Sequence, residues 1–383
     1  MLLRGIGVPR ADRTVVILGA GASRGASFCA PGRQVLPPLD ADFFQQAQGL
    51  SETQYARYAK PVLGFLRGDY GPGDLPTLET VFTQLEGFER FLRQFSTGPG
   101  PRTSRYQKQL GHLQHLIPVV FRAAMGGMTC DWHDRMAQAL RAGDAVVSFN
   151  DDTLIDDSLR RWSKGVWLAK EGYAVRAVTG SDRWSATPTP GPLPKEPLKL
   201  LKPHGSLHWT NLDQDSKRLD LHLRPYGLRP AKANVIPPTW DKAVLSTWPW
   251  KPIWKAATRY LQQARCLVVI GYSVPVTDLM TQALIKSSLG NKQLRLLVVV
   301  NPDPVARMRV IDLARAGIKP KTRIIELGAL KDFALLLDET PAERRRRARV
   351  RVQLKQLSDE IEDLRNDEIW DHEERLTQLE LDS

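Results

Sequence analysis

Five groups of glycines and polar residues in this chain have types that could act on a ligand, and each group closely follows a short apolar run. They are Gly19, Ala20, Gly21 and Ser23 after TVVIL; Asn150 and Asp152 after AVVSF; His204 after LKLL; Gly271 and Ser273 after CLVVI; and Asn301 after LRLLVVV. Short runs of this kind, bounded by turn residues, are typical of buried parallel strands. Ligands of open α/β sheets lie at the carboxyl ends of the strands, so we expect the five groups to meet at one edge of a sheet.

The segment LGAGASRG, residues 18–25, has the composition of a phosphate-binding turn. Gly19 and Gly21 let the backbone turn tightly and approach a diphosphate, and amides at the start of a following helix supply hydrogen bonds to it. No acidic residue closes a second strand about 20 residues later, as the dehydrogenase fingerprint requires. A plain glycine turn without a ligand is the alternative interpretation.

Asn150 and Asp152 carry side chains that can hydrogen-bond ribose hydroxyls or hold a water molecule. Asp151, Asp152 or Thr153 can also cap the helix that the next residues predict, which is the usual meaning of polar residues at such a junction. His204 at the end of the next run has a structural alternative too, as a hydrogen-bonded residue of a turn. These residues gain meaning only together with the other groups.

The alternation of apolar runs with helical patterns predicts an α/β fold with a doubly wound, Rossmann-like parallel sheet. The predicted strands are 14–18, 145–149, 198–201, 266–270, 294–300 and 322–327. The separation of the first two runs is too long for an ordinary crossover, and its patterns are mostly helical. We therefore predict the following division: 1–50, first part of the Rossmann-like domain; 51–143, a helical insertion; 144–330, the rest of the domain; and 331–383, a charged helical tail that offers an oligomer or partner surface.

Composition narrows the class of protein. The chain has 383 residues, 42% hydrophobic and 25% charged, which is ordinary for a globular protein. No stretch approaches the roughly 18 apolar residues of a membrane span, and the first residues do not form a secretory signal, so we expect a cytoplasmic protein without a membrane partner. Cys29, Cys130 and Cys266 form no C-x-x-C pair, and His112 and His115 have no third ligand at suitable spacing. We predict no metal site and no zinc.

The net charge of +12 leaves nucleic acid open as a partner. The excess is partly local, in ERRRRARVRVQLK at 343–355. A solvated basic helix explains that run equally well.

Taken in chain order, the five groups resemble the sirtuin-like (SIR2-like) NAD-binding family. That family has a G-A-G-x-S phosphate loop, an Asn-x-Asp, a His-Gly, a G-x-S and a late strand-ending Asn; this chain has GAGAS, NDD, HG, GYS and Asn301 in that order, within residues 14–330. The segments FNDDTLID, HGSLHW, PPLDADFF and LPTLETVF are closer to bacterial sirtuin-like antiphage effectors than to protein deacylases. The four-cysteine zinc module of the deacylases is missing, and Asp151 stands where the bacterial branch usually has Tyr.

The resemblance implies an NAD+ glycohydrolase that cleaves the nicotinamide–ribose bond and depletes NAD+ in an abortive infection response. It implies catalytic roles for His204 as general base, since an imidazole with an ordinary pKa of about 6.5 accepts a proton at neutral pH, and for Asn150 and Asp152 in orienting water or ribose. The remaining residues would bind NAD+: Gly19, Ala20, Gly21, Ser23, Gly271, Ser273 and Asn301. NAD+ is then the substrate, and no separate cofactor is expected.

The sequence is also compatible with other functions. One is a non-catalytic module that senses NAD+ or ADP-ribose and recruits a partner, which Asp151 favours; another is transfer of ADP-ribose to protein. The resemblance also implies a homo-oligomer and, as a candidate partner, a separate HerA-type ATPase. The sequence leaves open the activating trigger, the oligomer size, activity of the isolated chain and the preference between NAD and NADP.

Overall fold

A computed structural model gives the fold of the chain. It describes residues 12–26, 32–71, 73, 75–95, 104–179, 194–222, 234–235, 246–275, 278–289 and 294–338. Cys29, the basic run at 343–355 and most of the predicted tail lie outside these residues.

A six-stranded parallel sheet with the order β11-β10-β9-β1-β2-β4 forms the centre of the described structure. The strands of the described residues are β1 Thr14–Leu18, β2 Ala145–Ser148, β3 Ala177–Thr179, β4 Lys199–Leu201, β5 Gly205–Ser206, β6 Trp209–Asp213, β7 Arg218–Leu221, β8 Asn234–Val235, β9 Cys266–Ile270, β10 Leu296–Val300 and β11 Arg323–Leu327. The six strands of the large sheet coincide closely with the predicted runs. β1, β2, β9 and β10 are buried along their whole length, as expected for parallel strands covered on both faces.

The order of the strands confirms the predicted fold class. From β1 the chain builds outward through β2 and β4, then returns to the other side of β1 as β9 and continues through β10 to β11. This is the order 3-2-1-4-5-6 of doubly wound, Rossmann-like sheets. The direction of building reverses between β1 and β9, and the crevice outside the carboxyl ends of the strands at such a reversal is where ligands bind in these folds.

Helices connect and cover the strands. The α-helices of the described residues are α1 Ala20–Arg24, α2 Phe43–Gln48, α3 Glu52–Gln54, α4 Lys60–Tyr70, α5 Leu78–Phe95, α6 Arg105–Met125, α7 Asp131–Ala139, α8 Leu154–Trp162, α9 Ala169–Gly172, α10 Trp250–Gln263, α11 Leu279–Leu289, α12 Pro304–Ala314 and α13 Leu330–Asp338. Helices α3 to α7 fall within residues 51–143, where the sequence predicts a helical insertion, and α2 comes just before that range. Within the described ranges, none of the helices has the length and apolar character needed to cross a bilayer.

Buried apolar side chains form two clusters. The larger one surrounds the six-stranded sheet, and the second lies among α2 to α6, with Leu63, Phe82 and Leu113 almost fully buried. The second cluster also includes Leu154 and Leu207, which come shortly after the carboxyl ends of β2 and β4. The helical part therefore packs against the same edge of the sheet as the predicted ligand-binding residues.

Candidate functional site

The turns that follow β1 and β9 are in direct contact. The Gly19 amide donates to the Ile270 carbonyl at 3.0 Å, and the Gly21 amide donates to the Gly271 carbonyl at 2.9 Å. A Cβ added at Gly21 would lie 2.8 Å from the Gly271 Cα, and one added at Gly271 would lie 2.1 Å from the Ala22 nitrogen. Gly271 also has a φ of +61°, in the left-handed region that favours glycine. Glycine is needed at both positions because the two backbones touch.

Most of the predicted phosphate-binding turn, residues 19–23, is helical, so it differs from a loop whose amides are free to bind a ligand. α1 begins at Ala20, with Gly19 as its N-cap, so that Ala20, Gly21 and Ser23 lie inside the helix. The amides of Gly19 and Gly21 already have carbonyl partners within the protein. The roles of these four residues in binding a diphosphate therefore stay predictions.

A hydrogen-bonded triad joins α1 to the end of β2. The Ser23 hydroxyl donates to Asp152 Oδ2 at 2.5 Å, and the Asn150 amide nitrogen Nδ2 donates to the Ser23 oxygen at 2.9 Å. Asp152 Oδ1 accepts from the Leu154 amide at 2.9 Å, at the start of α8. All three triad side chains are buried. Thr153 is the N-cap of α8, and Asp152, one residue before it, accepts from the first helical amide and also anchors Ser23.

This triad fixes the orientation of the Asn150 amide. Because the single hydroxyl proton of Ser23 goes to the carboxylate of Asp152, the Ser23 oxygen can only accept, and the donating Nδ2 of Asn150 must face it. Asn150 Oδ1 therefore points elsewhere. It is buried and has no hydrogen-bond partner among the described residues. An unsatisfied buried acceptor of this kind calls for a water or a ligand group that donates to it.

His204 belongs to a group of rings, Phe149, His204, Trp254 and Tyr272, that we call the aromatic wall. The Phe149 ring lies 5.2 Å from the ring of His204 and 5.5 Å from that of Tyr272, and the rings of His204 and Trp254 are 6.3 Å apart. The Trp254 indole nitrogen donates to the Pro203 carbonyl at 3.2 Å and so holds the turn before His204. His204 itself is half-buried. The wall joins the ends of β2, β4 and β9.

Asn301 and Ser273 lie on the side of β9 and β10. Asn301 Nδ2 donates to the Tyr272 carbonyl at 3.4 Å, and its Oδ1 accepts from the Asp303 amide at 3.0 Å, beside the start of α12. Ser273 is exposed. The structure thus brings all the predicted groups to one edge of the sheet, while their binding and catalytic roles stay predictions.

Sequence reasoning missed a set of buried polar side chains beneath the ends of β2 and β4: Asp156, Tyr173, Lys202, Ser206 and His208. Burial lowers the pKa of His208 to about 3, nearby Asp156 opposes that shift, and Lys202 adds to it. His208 is therefore neutral at neutral pH. A signal was available, because Lys202 and His208 stand among the apolar residues that flank His204 in LLKPHGSLHW.

His133 of α7 was also missed. Burial lowers its pKa, while the charges of Asp152 and Asp134 oppose that shift. Its Nδ1 is buried without a hydrogen-bond partner among the described residues. Burial thus favours the neutral form of the His133 ring.

Metal ligands are not grouped in the described part of the chain. No set of three or more His, Cys, Asp or Glu residues there could hold an ion. The absence of a metal from the whole protein stays a prediction.

Comparisons with known proteins give a loose structural likeness. No protein-family model matches the chain, and no curated protein matches it. Similar solved structures include one from a study of the mechanism and regulation of Sir2 enzymes, with 14% identity, coverage of 90% of this chain and 96% of that chain, and a TM-score of 0.33. A Sir2 homologue in complex with NAD has 12% identity, coverage of 85% and 89%, and a TM-score of 0.34. At this level the likeness does not assign the chain to a family or an activity.

Proposed function

We propose that the chain is an NAD+ glycohydrolase that cleaves the nicotinamide–ribose bond of NAD+ and releases nicotinamide and ADP-ribose. The observation that carries the proposal is the buried, unpartnered Oδ1 of Asn150 at the carboxyl edge of the sheet. It lies next to the reversal between β1 and β9, where sheets of this strand order bind dinucleotides. The chain order of GAGAS, NDD, HG, GYS and Asn301 supports the same substrate.

The proposed chemistry needs few groups. Cleavage of the N-glycosidic bond passes through an oxocarbenium-like transition state, as in glycoside hydrolysis. The bonding electrons leave with nicotinamide, which becomes neutral, so no acid has to protonate it. Water adds to the ribose carbon, and its proton is taken up by a base.

Asn150, His204 and the aromatic wall have separate roles in the proposed cleavage. Asn150 Oδ1 accepts a hydrogen bond from the attacking water or from a ribose hydroxyl, and the triad with Ser23 and Asp152 holds that oxygen in place. His204 is the general base. The aromatic wall offers flat apolar surfaces against which the nicotinamide ring packs and from which bulk water is excluded.

The test is NAD+ turnover measured by chromatography, with nicotinamide and ADP-ribose quantified separately. We expect equal amounts of the two products from the wild type and a loss of about 10²–10⁴-fold in His204→Ala, since general base catalysis contributes that much. Asn150→Ala should also lose most of the turnover. His115→Gln is the matched control, because the His115 ring bonds within its own helix α6, to the Gly111 carbonyl at 2.6 Å, and His115 belongs to none of the five predicted groups.

Other products would point to the other functions. Binding of NAD+ without release of nicotinamide by the wild type would favour the sensing module. Labelled protein in place of free ADP-ribose would indicate ADP-ribosyl transfer. Turnover that survives both substitutions would contradict the assignment of the site.

We also propose, from the resemblance of the motifs alone, that this activity serves antiphage defence by depleting NAD+. A hydrolase that was always active would be toxic, so the proposal includes control through a homo-oligomer or a HerA-type ATPase partner. Measuring cellular NAD+ after phage infection, in cells that express the wild type or the Asn150→Ala variant, tests the defence role. Unchanged NAD+ in infected wild-type cells would contradict it.

A further inference from the structure

Lys202, the first residue after β4, carries a fully buried side chain in the described structure. Its ammonium has three donors, and each has an acceptor: the Asp152 carbonyl, Asp156 Oδ2 at 3.1 Å and the Ser206 hydroxyl at 2.6 Å. These acceptors belong to different segments. Asp152 and Asp156 follow β2, and Ser206 follows β4. One side chain thus ties the segment after β2 to the segment after β4.

The acceptors of Lys202 are themselves joined in a closed ring of hydrogen bonds. The Tyr173 hydroxyl donates to Asp156 Oδ1 at 2.6 Å, so its oxygen accepts from His208 Nε2 at 3.1 Å. The Ser206 hydroxyl accepts from Lys202, and its single proton faces two acceptors, His208 Nδ1 at 2.9 Å and the Asp151 carbonyl at 3.2 Å. A neutral His208 fits both of its neighbours, one as donor and one as acceptor. We call Lys202, Asp156, Tyr173, His208 and Ser206 the lysine ring.

Stability is a weak explanation for this ring. A buried ion pair seldom stabilises a fold more than well-packed apolar residues would, because both charges lose their hydration. An apolar residue in place of Lys202 could not hold the carbonyl of Asp152 and the hydroxyl of Ser206 at a fixed separation, because it donates no hydrogen bonds. A backbone bond supplements this contact, since the Leu207 amide donates to the Asp151 carbonyl at 2.9 Å.

The two segments that Lys202 joins carry the two halves of the proposed chemistry. Asn150 stands two residues before Asp152, and His204 stands two residues before Ser206. We propose that Lys202 is a positioning residue that sets the distance between Asn150 and His204, an inference that rests on the proposed NAD+ cleavage. The ring lies behind these residues and does not touch the substrate.

Positioning and binding are separable in this arrangement. NAD+ would be held mainly by the turns after β1, β9 and β10, whereas the hydrogen bonds of Lys202 go to the segments after β2 and β4. Loss of Lys202 should therefore lower kcat and leave KM nearly unchanged. Misplacement of a reacting group by about 1 Å can cost about 10²-fold in rate, so we expect kcat to fall by at least tenfold.

Removing Lys202 alone leaves the Asp156 charge buried without its partner, so the single variant is expected to be unstable. The experiment therefore compares Lys202→Met with the double variant Lys202→Met/Asp156→Asn, which removes both charges and keeps an acceptor for Tyr173. We expect the double variant to melt close to the wild-type temperature. If the single variant does not fold, the double variant alone decides the question.

The first readout is hydrogen–deuterium exchange, which does not depend on any activity. In the double variant we expect amides in peptides 149–154 and 203–208 to exchange at least tenfold faster, while peptide 266–272 in β9 exchanges as in the wild type. Unchanged protection in both of the first two peptides would overturn the positioning role.

The second readout is steady-state NAD+ cleavage. A well-folded double variant with a tenfold lower kcat and an unchanged KM supports the inference, whereas wild-type kcat would overturn it. If the wild type releases no nicotinamide, the proposed function fails. Hydrogen exchange then still decides whether Lys202 holds the two segments together.

Discussion

The two sides of the candidate cleft are held together by different means. On the β2–β4 side, which carries Asn150, Asp152 and His204, buried side chains form the Ser23 triad and the lysine ring. On the β9–β10 side, which carries Gly271, Ser273 and Asn301, backbone hydrogen bonds join the strand ends, and the side chain of Asn301 bonds to nearby backbone atoms. There Gly271 donates to the Val300 carbonyl at 2.8 Å, and Asn301 to the Leu327 carbonyl at 2.9 Å.

This difference matches what each side is proposed to do. A group that takes up a proton or orients water has to be aimed, and buried side-chain hydrogen bonds fix its direction. A segment that receives a dinucleotide has to let the backbone approach closely, and glycine does that. Substitutions should therefore damage the β2–β4 side through lost hydrogen bonds and the β9–β10 side through steric overlap.

The largest expected effect on the β9–β10 side comes from Gly271→Ala. The left-handed backbone costs alanine about 1–2 kcal/mol, and overlap with the Ala22 nitrogen adds about 1–3 kcal/mol, because the opposing atoms are backbone and cannot rotate away. Urea denaturation measures the loss in the free energy of unfolding. Gly64→Ala is the control, since an added Cβ there meets nothing within 4 Å in the middle of α4. It should stabilise the protein by about 0.5–1 kcal/mol. Equal changes in the free energy of unfolding for Gly271→Ala and Gly64→Ala would show that steric overlap does not explain the sensitivity of the β9–β10 side.

Acid should weaken the β2–β4 side through His208. Its pKa is about 3 when folded, against about 6.5 in an unfolded chain. Between these two values the unfolded chain binds more protons, so the free energy of unfolding falls as the pH falls below about 6.5 and recovers above it. For this one group we expect a loss of about 2 kcal/mol from pH 7 to pH 5.

The measurement is urea denaturation at pH 7, 6 and 5, for the wild type and for His208→Asn. Burial raises the pKa of Asp144 and of Asp157, which acts in the opposite direction, but both proteins share those groups. The difference between the two pH dependences therefore isolates His208. Parallel curves would show that His208 protonates in the folded protein.

The smallest effects compare single hydroxyl and amide groups on the two sides. Ser23→Ala removes a partner from both Asn150 and Asp152 in a buried place, so we expect a loss of about 1–3 kcal/mol in the free energy of unfolding. Asn301→Ala removes the 3.4 Å hydrogen bond to the Tyr272 carbonyl and the bond from the Asp303 amide. We therefore expect the free energy of unfolding to fall by about 0.5–1.5 kcal/mol. The exposed Ser273→Ala serves as the control, with a change within about 0.5 kcal/mol. A larger loss at Asn301 than at Ser23 would reverse the comparison.

The strands and the gathering of the five groups followed from local patterns. Runs such as CLVVI are apolar throughout because both faces of a parallel strand are buried, and the residue that ends the run therefore marks the carboxyl edge. The sequence marked Gly19, Gly21 and Gly271 as turn glycines, but only the structure shows that they are needed where two backbones touch. The sequence did not indicate that α1 begins at Ala20. The start of this helix depends on the carbonyl groups of the neighbouring turn, which accept hydrogen bonds from the amides of Gly19 and Gly21.

By itself, then, the sequence determined the parallel sheet, the edge where its polar residues meet and the identity of Asn150 and His204 as candidates. Only the tertiary structure decided which atoms of those residues are engaged. Ser23 and Asp152 are bonded although they lie 129 positions apart in the sequence, and Tyr173 and His208 are bonded although they lie 35 positions apart. Such contacts leave no periodic pattern in the chain. They arise because polar groups driven inside by the packing of the sheet must find partners there, and the partners depend on three-dimensional proximity.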